Sequence, residues 1–131
     1  MITGLSIHSH LRDALLASAA LRNKVGDRIY SIAAVNGTEY PFVLCTRTVI
    51  SPEYTKDGWS GDVVTVAVEV VSRSSTEAVA IAEDVREALE ESSVKHFDYT
   101  VTEATFIAAS EGYDLTTDTY VEALQFSFKI S

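Results

Sequence analysis

One cysteine, two prolines, six glycines and a shortage of positive charge set the first limits on this 131-residue chain. Cys45 is alone and makes no internal bridge, which removes the small secreted domains that rely on disulfides. No stretch approaches the roughly 18 to 20 consecutive apolar residues of a membrane span. Met1 to His10 have neither the basic head nor the continuous apolar core of a secretory signal, so the sequence predicts a protein that stays in the cytoplasm. The glycines fall at separate turns. Neither G-x-x-x-x-G-K-[ST] nor G-x-G-x-x-G occurs, so the common phosphate-cradling loops have no support. Low-complexity tracts, repeats and dividing linkers are also lacking, and the length suits one domain over 1–131 with a core of its own.

Cations are the scarcest charge, ten Lys and Arg against nineteen Asp and Glu, for a net −9. Such a surface repels nucleic acid and anionic membrane at long range. The imbalance is uneven. Residues 1–61 hold six basic and five acidic side chains, whereas residues 62–131 hold four basic and fourteen acidic ones. A solubilising surface is the bland explanation of the acidic half. A directed acidic face, meeting a basic partner or lining a passage for something anionic, is the functional one.

What is present is amphipathic periodicity. Ile7, Leu11, Ala14 and Leu15 fall on one stripe of a helix over Ile7 to Ala17, and Ser18 opens a second short helical turn that stops at Gly26. Arg28-Ile29-Tyr30 reads as a short extended piece, and Asn36-Gly37 as a turn. Tyr40 to Ile50 alternates as a strand, with Phe42, Leu44, Thr46, Thr48 and Ile50 on one side. Ser51 to Gly61 reads as a loop or the tip of a long hairpin. Asp62 to Ser72 is a valine-rich strand, followed by the best helix in the chain, Ser74 to Glu91, opened by the S-x-x-E capping box of Ser74 and Glu77. A strand containing Phe97, Tyr99 and Val101, a polar loop at 109–117 and a last strand from Tyr120 to Ile130 complete the pattern. The order α-β-β-α-β-β predicts an α+β fold: one four-stranded, mainly antiparallel sheet with two amphipathic helices packed on one face.

Few residues point to chemistry. His8 and His10 point about 200° apart on a helix, too far to share a metal, and read as surface or cap residues. His96 sits at a helix-to-strand junction without a ligand partner at zinc spacing. Cys45, inside a strand, reads as a small buried hydrophobe. Glu83, Asp84, Glu87, Glu90 and Glu91 make the solvent side of the second helix strongly acidic, with Arg86 its only cation. These carboxylates read as an exposed face, a candidate lumen or partner surface, sooner than as a tuned acid/base pair. Tyr54, Lys56 and Trp59 in the 51–61 segment, with Tyr113 in the 109–117 segment, are the candidate subunit or partner contacts. Glu53, Asp57 and Asp62 around the single Lys56 argue against single-stranded nucleic acid there. Trp59 either anchors a protein contact or folds back onto its own domain. No catalytic, cofactor-binding or metal-binding residues are predicted.

The run Leu11-Arg12-Asp13-Ala14-Leu15-Leu16, then Val25-Gly26-Asp27-Arg28-Ile29-Tyr30, then Tyr40-Pro41-Phe42-Val43, then Ala82-Glu83-Asp84-Val85-Arg86-Glu87-Ala88-Leu89, resembles the tail-completion (tail-terminator) proteins of long-tailed bacteriophages and prophages. The resemblance spans roughly residues 5 to 130. Ser18-Ala19 stands where the family commonly has Asp-Pro, and Ser and Asp are both good N-caps. Ser31 replaces a common Pro, and Cys45 a common aromatic. The resemblance implies a structural, non-enzymatic subunit of a ring, commonly a hexamer, on the head-proximal end of the tail tube. There it would stop tube polymerisation and meet the head-tail connector, assembling in the host cytoplasm and ending in the virion tail. Its partners would be copies of itself, the tail-tube protein and the connector, with DNA passing unbound and no membrane involved. Two alternatives remain: another neck, connector or tail-tube protein, and a small cytoplasmic ligand-binding α+β domain.

Overall fold

Serines and a glycine set the helix boundaries. In the computed structural model, which describes residues 2–90, 92–96 and 98–131, a 3-10 turn at Gly4–Ser6 leads into α1 (Ile7–Leu16). Helix α2 (Ala19–Val25) starts where the Ser18 hydroxyl accepts the Leu21 N–H at 3.2 Å, and it stops at Gly26, whose φ of 62° lies where only glycine is unstrained. Helix α3 (Ser75–Leu89) is capped by the Ser74 hydroxyl, which accepts the Glu77 N–H. The reciprocal half of the capping box is relayed. Glu77 accepts a hydrogen bond from the Ser72 hydroxyl at 2.6 Å, and the Ser72 oxygen takes the Ser74 N–H at 3.1 Å. Glu91 and Phe97 lie outside the described residues.

The strands are β1 (Ile29–Ser31), β2 (Phe42–Thr55), β3 (Gly58–Ser72), β4 (Val94–Lys95), β5 (Thr100–Asp114) and β6 (Thr119–Ile130). They form one sheet in the order β1-β2-β3-β6-β5-β4, antiparallel except for the parallel β1–β2 pair. The expected four-stranded sheet with two helices is therefore corrected, among the described residues, to a six-stranded mixed sheet with three α-helices. The additional elements are short: β1 has three residues and β4 two, too few to produce a readable period, and α2, read as a short helical turn, is a helix of seven residues. Tertiary pairing with β2 and β5 is what makes strands of β1 and β4.

The interior lies between the helices and the sheet face that carries Val64, Val66, Val68 and Val70 of β3 with Leu124, Phe126, Phe128 and Ile130 of β6. Against it pack Ile7, Leu11 and Leu15 of α1, Leu21 and Val25 of α2, and Ile81, Val85 and Leu89 of α3. The predicted alternation of β2 slips at one place. The register jumps between Arg47 and Val49, leaving Thr48 without a partner in the ladder and its hydroxyl donating to the Thr65 carbonyl. This bulge moves Ile50 onto the core side, next to Val64 and in phase with Val43 and Cys45.

Candidate interaction surface

Residues 51–61, read from sequence as a loop or the tip of a long hairpin, are a hairpin end, and residues 109–117, read as a polar loop, are mostly strand. β2 and β3 continue through them to a turn at Lys56-Asp57, and β5 and β6 to a turn at Leu115–Asp118. The register decides where these ends go. Asp62 of β3 lies beside Ile130 of β6, and Ser72 lies beside Tyr120, so the two hairpins point to opposite ends of the sheet. The shared β3–β6 ladder between those ends is roughly 33 Å long at ~3.3 Å per residue. The predicted contact residues are thus not one patch: Tyr54, Lys56 and Trp59 sit at one pole and Tyr113 at the other.

At the first pole Tyr54 is 69% exposed and Lys56 is exposed in the turn. Trp59 folds back. Its indole Nε1–H donates to Asp62 Oδ1 at 2.9 Å, while Asp62 Oδ2 accepts the Gly4 N–H at 2.8 Å. Asp62 is buried, and a Cβ on Gly4 would stand 2.5 Å from Val64 Cγ2, so glycine is what allows the N-terminal turn to approach the sheet here. A Glu53–Lys129 ion pair of 2.9 Å adds a link to β6.

The second pole exposes apolar surface. Tyr113, Leu115 and Tyr120 are all open to solvent, Leu115 at 83%. The Tyr113 and Tyr120 rings lie 5.1 Å apart, and the Tyr113 hydroxyl donates to Asp118, a bond that raises the phenol's pKa. Beside them Glu111 faces Glu122 across the ladder. Burial first, then the hydrogen bond and charge of Glu111, hold the Glu122 carboxyl above its ordinary range. A groove of about 460 Å³ runs among Glu111, Tyr113, Tyr120, Glu122 and Ser75 at the start of α3. The facing carboxylates follow from the hairpin register, which cannot be assigned while 109–117 reads as a loop.

The acidic face of α3 is divided. Glu83, Glu87 and Glu90 are exposed, while the half-buried Asp84 pairs with Lys24 of α2. Arg86 contacts Glu90 at 3.1 Å and stacks 4.2 Å over the Phe106 ring. Glu83 therefore borders the β5–β6 side, whereas Asp84 and Glu87 border a groove against α1 and α2.

Of the two remaining readings, that of Cys45 as a buried strand residue agrees with the structure and that of His10 changes. Cys45 is buried, and desolvation pushes its thiol up to about 12, so it stays protonated. His10, expected at the surface, is buried and lies 3.0 Å from His96, which sequence spacing left without a partner. Folding brings together two residues 86 positions apart, which no local pattern signals.

The family model for tail completion protein gp17 matches residues 9–131. The chain belongs to this family. A tail completion protein is a structural component of a phage tail, and the tail-completion resemblance carried by the helix and strand motifs agrees with this match. One solved chain, from "Virion of native gene transfer agent (GTA) particle", has the same fold: TM-score 0.83 at 20% identity, covering 95% of this tail completion protein and 93% of that chain. No curated protein matches this chain.

Proposed function

We propose that this tail completion protein is one subunit of a homo-oligomeric ring, a hexamer, seated on the head-proximal end of the tail tube. There it stops tube polymerisation and offers the joining surface to the head-tail connector. The observation that carries this reading is the pair of hairpin ends at opposite poles of the sheet, each with aromatic or aliphatic side chains that the subunit does not bury itself. A piece that must touch the tube below and the connector above needs contact surface at both poles. Tyr54 and Lys56 serve one side, and Tyr113 with Leu115 the other.

The role is non-enzymatic: it requires contacts and no reaction. Assembly takes place in the host cytoplasm, before the subunit is built into the virion tail. The exposed carboxylates Glu83, Glu87 and Glu90 form either the lumen or a partner face, and the net −9 lets DNA pass without being held. Deleting the gene from the parent phage or prophage tests this, with electron microscopy of the lysate. Overlong tubes that fail to join heads are expected, and normal virions would overturn the proposal. Tails of normal length without heads would indicate another neck component, and a lack of tubes would indicate a tube protein.

A further inference from the structure

His10 lies 1% exposed on the inner side of α1, with both ring nitrogens engaged. Nδ1 is 3.0 Å from His96 Nε2, and Nε2 is 3.1 Å from Ser92 Oγ, so one side chain ties α1 to the connection between α3 and β5 at two points. His96 in turn stacks on Tyr99 at 4.3 Å, and its backbone N–H donates to the Tyr99 carbonyl at 2.7 Å. From the sheet, β6 presents the Phe128 ring, edge-on at 5.6 Å. Among the described residues, the charged or titratable groups bearing on His10 are Asp13 of its own helix and His96 of the connection; burial first, then His96, outweigh Asp13 and hold the imidazole near 4, well below its ordinary 6.5.

Hydrogen-bond logic makes the contact sensitive to protons. Between the two rings one nitrogen must carry hydrogen and the other must offer its lone pair. A proton taken up by His10 fixes both of its nitrogens as donors, so the contact then survives only while His96 Nε2 offers its lone pair, and the new charge sits in apolar surroundings that oppose it.

We propose that the His10–His96–Ser92 cluster is an acid-released latch, which holds the α3–β5 connection onto α1 at neutral pH and lets it go when His10 takes up a proton. Release exposes His10 to water, where its affinity for a proton is ordinary. Between pH 6.5 and about 4 the released form therefore binds a proton that the latched form refuses, and falling pH drives opening. The connection carries β4, which holds β5 by only two residue pairs, so it can detach without dismantling the β2–β3–β6 centre. The inference is independent of the tail role.

Amide hydrogen exchange on the full chain at pH 7.0 and 4.5, corrected for intrinsic rates, tests the latch. Protection of the His96 amide is expected to fall at least about tenfold relative to amides of β3 and β6. His10→Gln keeps hydrogen-bonding capacity but cannot titrate, and its profile should be flat. Unchanged protection at low pH, the same response in His10→Gln, or simultaneous loss across the whole sheet would each overturn the proposal. Should His10→Gln fail to fold, the wild-type chain still decides. The midpoint of the His10 ring titration, followed by NMR, must coincide with the midpoint of lost protection, and separate midpoints would refute the latch.

Discussion

The two hairpin ends have similar strand lengths and very different attachments. The β2–β3 end is tied down from several sides. Trp59 and Gly4 both donate to the buried Asp62, and Glu53 reaches Lys129 of the neighbouring strand. The β5–β6 end is held mainly by itself, through the Tyr113–Asp118 bond and the Tyr113–Tyr120 contact, and it places Glu111 against Glu122, where like charges oppose pairing. One end is fixed by the fold, and the other is left with apolar and acidic surface that the subunit does not satisfy. A surface of that kind gains more from a partner than one already satisfied within the chain.

Substitutions can break this contrast, and the largest effect belongs at the first end. Asp62→Ala leaves the Gly4 N–H buried without a partner and releases Trp59. It should cost about 3 kcal/mol in denaturant unfolding, because both lost bonds end on a buried charge. Gly4→Ala tests the same junction sterically. Its Cβ would overlap Val64, Ile50 and Asp62, for a cost of about 2 kcal/mol by the same measurement. If either variant is as stable as the wild type, the first end is not anchored as described.

Smaller effects should appear at the second end and carry the opposite sign. Glu122→Gln removes a like-charge opposition, so it should stabilise the chain by a few tenths of a kcal/mol at pH 7.5. In the wild type the raised Glu122 pKa means that the folded chain holds this proton more tightly than the unfolded one. The hairpin end should therefore become better protected from amide exchange as pH falls toward 4.5, with the gain fully present below it. His10 has the reverse sign, since its lowered pKa removes stability as pH falls from 6.5 toward 4. Acid thus firms the second hairpin end while loosening the α3–β5 connection. Leu115→Ser, at a residue 83% exposed, should change monomer stability by less than about 0.5 kcal/mol, and a larger loss would mean that this side chain is packed within the subunit.

Elements with a strong local signal are legible in the chain. The Ser18 and Ser74 caps, the Gly26 stop, the valine alternation of β3 and the inner stripe of α3 each depend on neighbours within a few residues. Family membership was legible for the same reason, because its motifs lie within those elements. The poles were not. Segments 51–61 and 109–117 contain turn-forming residues and exposed polar positions, so their composition resembles loop, and only pairing with the facing strand makes them β. The candidate contacts Tyr54, Lys56, Trp59 and Tyr113 were found as residues. Their separation to opposite ends comes from the antiparallel β3–β6 ladder.

By itself, then, the sequence determined which segments are helices, which long segments are strands, where the acidic charge accumulates and which family the chain belongs to, since each of these is written in local spacing or in motifs. Tertiary structure decided the six-strand order, the bulge that returns Ile50 to the core, the seat of Asp62 under Gly4 and Trp59, and the meeting of His10 with His96. Those features join residues tens of positions apart, and their energy exists only once the chain has closed the distance between them.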